Sequence, residues 1–413
     1  MKSSITVVLL FLLSNTYGQN NDYRVYLDSA KSLFYSEDNI DQEKLKQSKY
    51  NQVVSLLEKA IELNPESSES RYFLGYAYSR LNARDGHGMI AMNLDLVYKS
   101  SEQFQKTIEL TPKYSDEIVI LDPYSKLSAE WGSMAMSYWH NNKIDSAIWA
   151  FGEGKRRGGF SDFILEMNKN VLDACDQNSI LISSGDNFSI PLWYLQIKEN
   201  YRTDVSVVDI SLLNTNWYPA FLSKTKSISF DLPDETLDTI DYIKWTDSTI
   251  TIDHFSWTVK PSYYDQYLLR GDRLFLSLLK QNKFKRELYF TIAFMEASRL
   301  SLTDYMTPFV NVDKLTISNK KTQSYQDYKV CIKTNLQKSK YLNLNSQDEL
   351  KFFDNFRYNI LGQINDYWDI NEKKKAKELI KLLDEFAHED KIPFYDSEGK
   401  EYAEYIRRKI KNN

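Results

Sequence analysis

Few residues in this sequence have the type and spacing that chemistry needs. Asp186 and Asn187 stand in a Gly185-Asp186-Asn187 turn after an apolar run, and Trp193 and Asn214 follow nearby. If the run is a parallel strand, the turn lies at its carboxyl end and at a helix N-terminus, where open α/β sheets bind ligands. Asp186 and Asn187 could there hold a cation or a sugar hydroxyl. A second carboxylate about 5–10 Å away would suit glycoside cleavage. The competing reading needs no ligand: a tight turn in which Asn187 or Ser189 caps the helix.

No other catalytic template is present. There is no Gly-x-Ser-x-Gly elbow to present a serine nucleophile, no His-Glu-x-x-His pair for zinc and no glycine-rich loop closing on Lys-Ser or Lys-Thr. Arg84-Asp85-Gly86-His87-Gly88 is glycine-rich, but it falls between helices and reads as a loop. Two cysteines (Cys175, Cys331) and four histidines (His87, His140, His254, His388) form no cluster at metal spacing. The cysteines could pair in an oxidising compartment or stay as two single thiols. No catalytic residue, metal or cofactor is assigned.

The elements that must position the turn can be read around it. Ser179 to Ser183 is a short apolar strand, Ser189 with Pro191 opens a helix running to about Asn200, and Val205 to Ile210 is a second strand. Strand, helix and strand in that order imply a parallel pair with a right-handed crossover. Thr249 to Val259 alternates like a strand or hairpin, Leu268 to Leu279 is helical and Leu288 to Phe294 is a further strand. A mixed α/β domain is therefore expected over 161–325. A helical region follows over 326–413, with a hairpin of Phe356–Trp368 and Glu372–Ala387 and a charged helix from Glu398 to Lys411.

Ahead of it, residues 19–160 read as helical repeats of tetratricopeptide type. Val53, Leu57 and Ala60 share one helix face that Pro65 closes, and Leu74, Gly75 and Tyr78 hold first-helix positions of the next unit. Glu62-Leu63-Asn64-Pro65 and Glu109-Leu110-Thr111-Pro112 are near copies, 47 residues apart, so an insertion is expected at Ala83–Leu96. A third unit carries Trp131, Met134, Ala135 and Tyr138, then Ala147, Phe151 and Gly154. Stacked helix pairs bury faces that no pair buries alone and leave a concave side facing solvent. Tyr72, Tyr76, Trp139 and His140 fall at the positions that line it. They form either a groove for a peptide or protein or ordinary packing against neighbouring elements.

Composition narrows the function class. The 413 residues are 42% hydrophobic and 26% charged, with a net charge of -5 and no block of one sign. That is a globular chain without the basic surface nucleic acid requires. Lys2, the apolar run Ile5–Leu13 and the small residues Thr16 and Gly18 form a signal peptide cleaved after Gly18, so the mature protein is expected in the periplasm or outside the cell. The apolar run is half the length of a membrane span, and no later stretch is long enough to cross a bilayer.

The stretch Gly185–Gln196, with Tyr201-Arg202-Thr203-Asp204-Val205 and Val208–Tyr218, resembles the soluble tail of a bacterial family of multi-spanning, glycosyltransferase-like membrane proteins related to protein O-mannosyltransferases. Leu268-Leu269-Arg270 with Asp272, and Asn282–Arg286 running into Leu288-Tyr289-Phe290, extend the likeness to about 175–325. The family carries a second aspartate after Gly-Asp-Asn, where this chain has Phe188. Its transferase chemistry would reside in a membrane-embedded part, so the resemblance implies an extracytoplasmic accessory module. The sequence thus predicts an α+β multidomain protein: tetratricopeptide-like repeats, a central mixed α/β domain and a C-terminal helical hairpin. Its expected partner is a protein or peptide of the bacterial envelope. The alternative is a glycan, bound or processed by the α/β domain.

Overall fold

In the computed structural model, the structure describes residues 22–38, 49–225, 227–291, 296–309, 311–317 and 324–411. The targeting segment expected at 1–18 lies outside them. The fold is α+β, and the chain divides into two compact units, 1–159 and 160–413.

The first unit is all helical: α1 (22–38), α2 (Tyr50–Leu63), α3 (Ser68–Asn82), α4 (Leu94–Leu110), α5 (Pro123–His140) and α6 (Ile144–Arg156). From α2 onward, each helix packs on the next. Capping side chains set the starts: Ser67, Asn93 and Asp122 each accept a backbone N–H of the first turn, and Pro123 follows Asp122 at the first helical position. Gly75 is required where α3 meets α4, because a β-carbon there would sit 2.9 Å from the Phe104 ring. Phe34, Tyr50, Phe73, Tyr72, Tyr76 and Phe104 form the core, meeting largely edge to face. Buried Lys126 pairs with buried Glu130 at 2.7 Å, and Ser79 bonds to both. The expected insertion holds a short 3-10 turn, Gly88–Ala91, whose Ile90 carbonyl accepts from Ser137 of α5.

The second unit opens with α7 (Asp162–Asp173), then β1 (Ile180–Ser183), α8 (Asp186–Lys198), β2 (Ser206–Asp209) and α9 (Trp217–Lys224). Next come β3 (Ile243–Lys244), β4 (Ser248–Ile252), β5 (Phe255–Val259), β6 (Tyr267–Leu268), α10 (Arg270–Asn282), β7 (Leu288–Thr291), β8 (Met306–Pro308) and β9 (Val312–Leu315). The main sheet has the order β2-β1-β7-β9-β8; β1 is parallel to β2 and β7, while β9 runs antiparallel to β7 and β8. The expected parallel pair is thus β1–β2, joined through α8. The β4–β5 hairpin alternates as its sequence does, with Phe255, Trp257 and Val259 buried.

The helices α11 (Tyr325–Gln337), α12 (Gln347–Asp369), α13 (Lys373–Ala387) and α14 (Ser397–Lys411) close the unit. Their apolar faces share a core with Phe163 and Met167 of α7. Arg357 lies inside that core, paired with Asp354 at 2.9 Å and lying against the rings of Phe353 and Phe394. Among the described residues, no helix is long and apolar enough to cross a membrane.

Candidate functional site

The carboxyl ends of β1 and β2 are built around Asp209, the last residue of β2. Its side chain is buried. One carboxylate oxygen accepts from Ser189 Oγ at 2.5 Å and from the Gly185 N–H at 3.0 Å; the other accepts from the Leu212 N–H at 2.9 Å. A single acid therefore ties the turn after β1 to the turn after β2. Burial pushes the Asp209 carboxyl up, against the hydrogen bonds that favour its charge. Gly185 caps α8 with φ +84°, a left-handed conformation that glycine adopts without strain. The Ser183 and Ser189 hydroxyls stand 3.1 Å apart, and Ser184 and Ser211 place theirs 2.9 Å apart at the surface.

Helix α8 begins at Asp186, not at the Ser189–Pro191 start that proline suggests. Pro191 is the sixth residue of the helix, and its missing N–H leaves one carbonyl of the first turn without its intrahelical bond. Asp186 is exposed and Asn187 half-buried at that N-terminus. Neither caps the helix; Gly185 holds the cap position, and its own N–H is bound by Asp209.

The other two residues expected near the turn do different work. Trp193 is buried on the inner face of α8, its ring 6.3 Å from that of Tyr218, so it lines no open site. Asn214 accepts the Gly271 N–H at 2.8 Å and donates to the Ser211 carbonyl at 3.2 Å, which fixes the start of α10. Arg270 beside it is buried and donates to the carbonyls of Thr215, Leu237, Asp238 and Ile240. Asp272 closes the cap by accepting from the Leu269 N–H at 2.9 Å and from Ser262. At the opposite end of the sheet, Arg286 donates to the carbonyls of Asn178, Ser179 and Ser227 and to Ser206 Oγ. Phe188, the residue at which the chain departs from the family it resembles, lies 5.3 Å from the Phe352 ring of α12 and packs on the C-terminal core.

Residues 164–251 match the family model described as TMEM260-associated domain 2. The TMEM260-associated stretch takes in nearly all of α7, the whole β1–α8–β2 unit with Asp209, and the chain as far as β4. This agrees in coarse form with the resemblance to O-mannosyltransferase-related proteins. No curated protein matches the chain. Asp209 was missed as a site residue, although an acid directly after the apolar pair Val207-Val208, at a parallel strand's carboxyl end, was a signal for it.

In the helical unit, Tyr72 and Tyr76 are fully buried, which corrects their placement on a solvent-lined face. The Tyr72 hydroxyl donates to the Leu121 carbonyl at 2.8 Å and accepts from the Val119 N–H at 2.9 Å. That of Tyr76 donates to the same carbonyl at 3.0 Å and accepts from the Leu121 N–H at 2.7 Å. Both rings hold down the segment before α5. Trp139 and His140 are half-buried at the end of α5. A different aromatic ledge reaches solvent: Trp149 is 40% exposed and stands edge-on to Trp131 at 5.7 Å and Tyr138 at 6.5 Å. The Arg157 guanidinium lies over Tyr98 at 5.0 Å and Trp131 at 5.2 Å beside it. Among the described residues, no group of three or more metal-ligating side chains is placed to hold an ion.

Proposed function

We propose that the chain is an exported, non-enzymatic accessory protein that binds a protein or peptide partner in the bacterial envelope through its tetratricopeptide-like helices. The observation that carries the reading is the ledge of Trp149, Tyr138 and Trp131. A large indole sits exposed on a rigid helix pair and is backed by other rings, the arrangement from which interface anchors are made. Trp139 and His140 stay with the proposal as neighbours at the end of α5, whereas Tyr72 and Tyr76 leave it. The test is partner capture by the mature protein. Trp149→Ala should lose the partner while Asp186→Ala keeps it, with folding checked by circular dichroism; the reverse pattern contradicts the proposal.

A second reading rests on the ends of β1 and β2. There the Ser184 and Ser211 hydroxyls, exposed Asp186 and half-buried Asn187 offer polar groups suited to a glycan, with Asp209 as a buried second carboxylate. Under this reading the α/β domain binds or processes the glycan. Oligosaccharide binding that Asp186→Asn abolishes would support it, and binding indifferent to that change would remove it.

A further inference from the structure

The second unit also displays a patch of tyrosines that neither reading above uses. Strands β3 and β6 form a two-stranded ribbon with Lys244 opposite Tyr267. Tyr242 is 60% exposed, Tyr263 45% and Tyr264 76%. The rings of Tyr242 and Tyr267 meet at 5.7 Å, and those of Tyr263 and Tyr264 at 4.3 Å. Just ahead of β6, where Tyr263 bridges Tyr267, the chain makes a tight hairpin turn through Tyr264 and Asp265, both left-handed at φ 47° and 52°, and the Gln266 N–H bonds back to the Tyr263 carbonyl at 3.1 Å. Hairpin turns of this kind favour Asn-Gly, which carry no ring. Here the turn holds a tyrosine out in solvent.

The segment of chain that carries these rings is acidic. Residues 231–273 contain nine acidic residues and four basic ones, a balance of -5 that equals the net charge of the whole chain, so the remainder sums to zero. Asp272 is the buried cap of α10, and the other eight acids are all exposed. Among the described residues, no lysine, arginine or histidine nitrogen lies within 4.0 Å of any of those eight carboxylates. Of the four cations, Arg270 is buried against carbonyls, and Arg273 donates to the Asp241 carbonyl at 2.6 Å. Lys244 and Lys260 are exposed. Asp241 and Asp265 adjoin Tyr242 and Tyr264 in sequence, so two of the three exposed rings have a carboxylate as their neighbour.

We propose that this hairpin is a docking surface for a basic, Arg- or Lys-rich segment of a protein partner. Tyrosine faces attract guanidinium and ammonium groups, and carboxylates without a cation of their own bind the same groups through charge-assisted hydrogen bonds. Charge complementarity selects that occupant over an acidic or neutral peptide. The surface is independent of the helical ledge, so either can fail alone.

The experiment follows a fluorescently labelled octapeptide of alternating Gly and Arg by anisotropy with the whole protein. Gly-Glu and Gly-Ser octapeptides and a neutral oligosaccharide serve as competitors. Saturable binding of the Gly-Arg peptide alone is expected. It should weaken several-fold between about 0.05 and 0.5 M salt. Tyr242→Ala or Tyr264→Ala should each weaken it by about three- to tenfold, and Asp241→Asn should weaken it as well. Tyr264→Asn, which suits the left-handed backbone, replaces Tyr264→Ala if that variant unfolds. Absence of saturable Gly-Arg binding, equal binding of the Gly-Glu peptide, displacement by the oligosaccharide, or indifference to the tyrosine variants would overturn the proposal.

Discussion

Asp209→Ala should loosen the second unit measurably, because one carboxylate supports two turns. The substitution removes acceptors at 2.5, 3.0 and 2.9 Å from Ser189, Gly185 and Leu212. Ser189 can turn fully toward Ser183, and the exposed Gly185 N–H can take water, so their losses are small. The buried Leu212 N–H has no such recourse and costs about 1–3 kcal/mol. Relief from burying a polar carboxyl offsets part of this, for a net loss of about 1–2 kcal/mol. In a unit of this size that lowers the thermal midpoint by about 2–8 °C. Asp209→Asn keeps the shape but offers one acceptor oxygen, so about half that loss is expected. The pH dependence has a definite sign. Burial raises the folded-state carboxyl above its unfolded value, so the folded protein keeps a proton that the unfolded chain has released. The stability Asp209 contributes is fully present below the unfolded value and is lost as pH rises through the raised one. The gap in midpoint between wild type and Asp209→Asn should therefore narrow as pH climbs from about 4. Scanning calorimetry at a series of pH values measures both effects. A midpoint within about 1 °C of wild type for Asp209→Ala, or a gap that widens with pH, would refute the reasoning.

Other outcomes follow from the helical unit and the leader. Tyr72→Phe and Tyr76→Phe each remove a hydroxyl that serves a backbone donor and acceptor of residues 119–121, and each should cost about 1–2 kcal/mol in urea unfolding. Gly75→Ala forces a β-carbon to 2.9 Å from Phe104 and should destabilise by about 1–3 kcal/mol; a neutral result would mean that α3 and α4 are not held at this spacing. N-terminal sequencing of the protein recovered from cells should begin at Gln19, and a retained Met1 would end the export reading.

The parallel unit was legible because its strands are short apolar runs, Ile180-Leu181-Ile182 and Val207-Val208, either side of a helix whose inner face is nearly all hydrophobic. The start of that helix was not legible. Proline marks first turns on average, but here the N-terminus is set by a left-handed glycine and by an aspartate 24 residues away. Long-range caps leave no local pattern. The burial of Tyr72 and Tyr76 was hidden for a similar reason. Tyr114 stacks on Tyr72 at 4.6 Å, and the segment 119–121 closes over both rings. The apolar run Ile118–Leu121 was the available signal. The motif Leu269-Arg270 with Asp272, and Arg286, read first through a resemblance, have a physical account: they cap α10 and fasten the sheet's amino end. The Trp149 ledge was missed because a lone tryptophan on a second helix gives no sign, in sequence, of facing outward.

The central claim is that the helical unit, through Trp149, carries the partner. The most direct measurement is photo-cross-linking in living cells, with a photoreactive phenylalanine placed at position 149 in one strain and at position 186 in another. A discrete protein adduct from position 149, identified by mass spectrometry and lost when Tyr138→Ala is added, is the predicted result. An adduct from position 186 with none from 149 would contradict the claim and move the function to the strand ends.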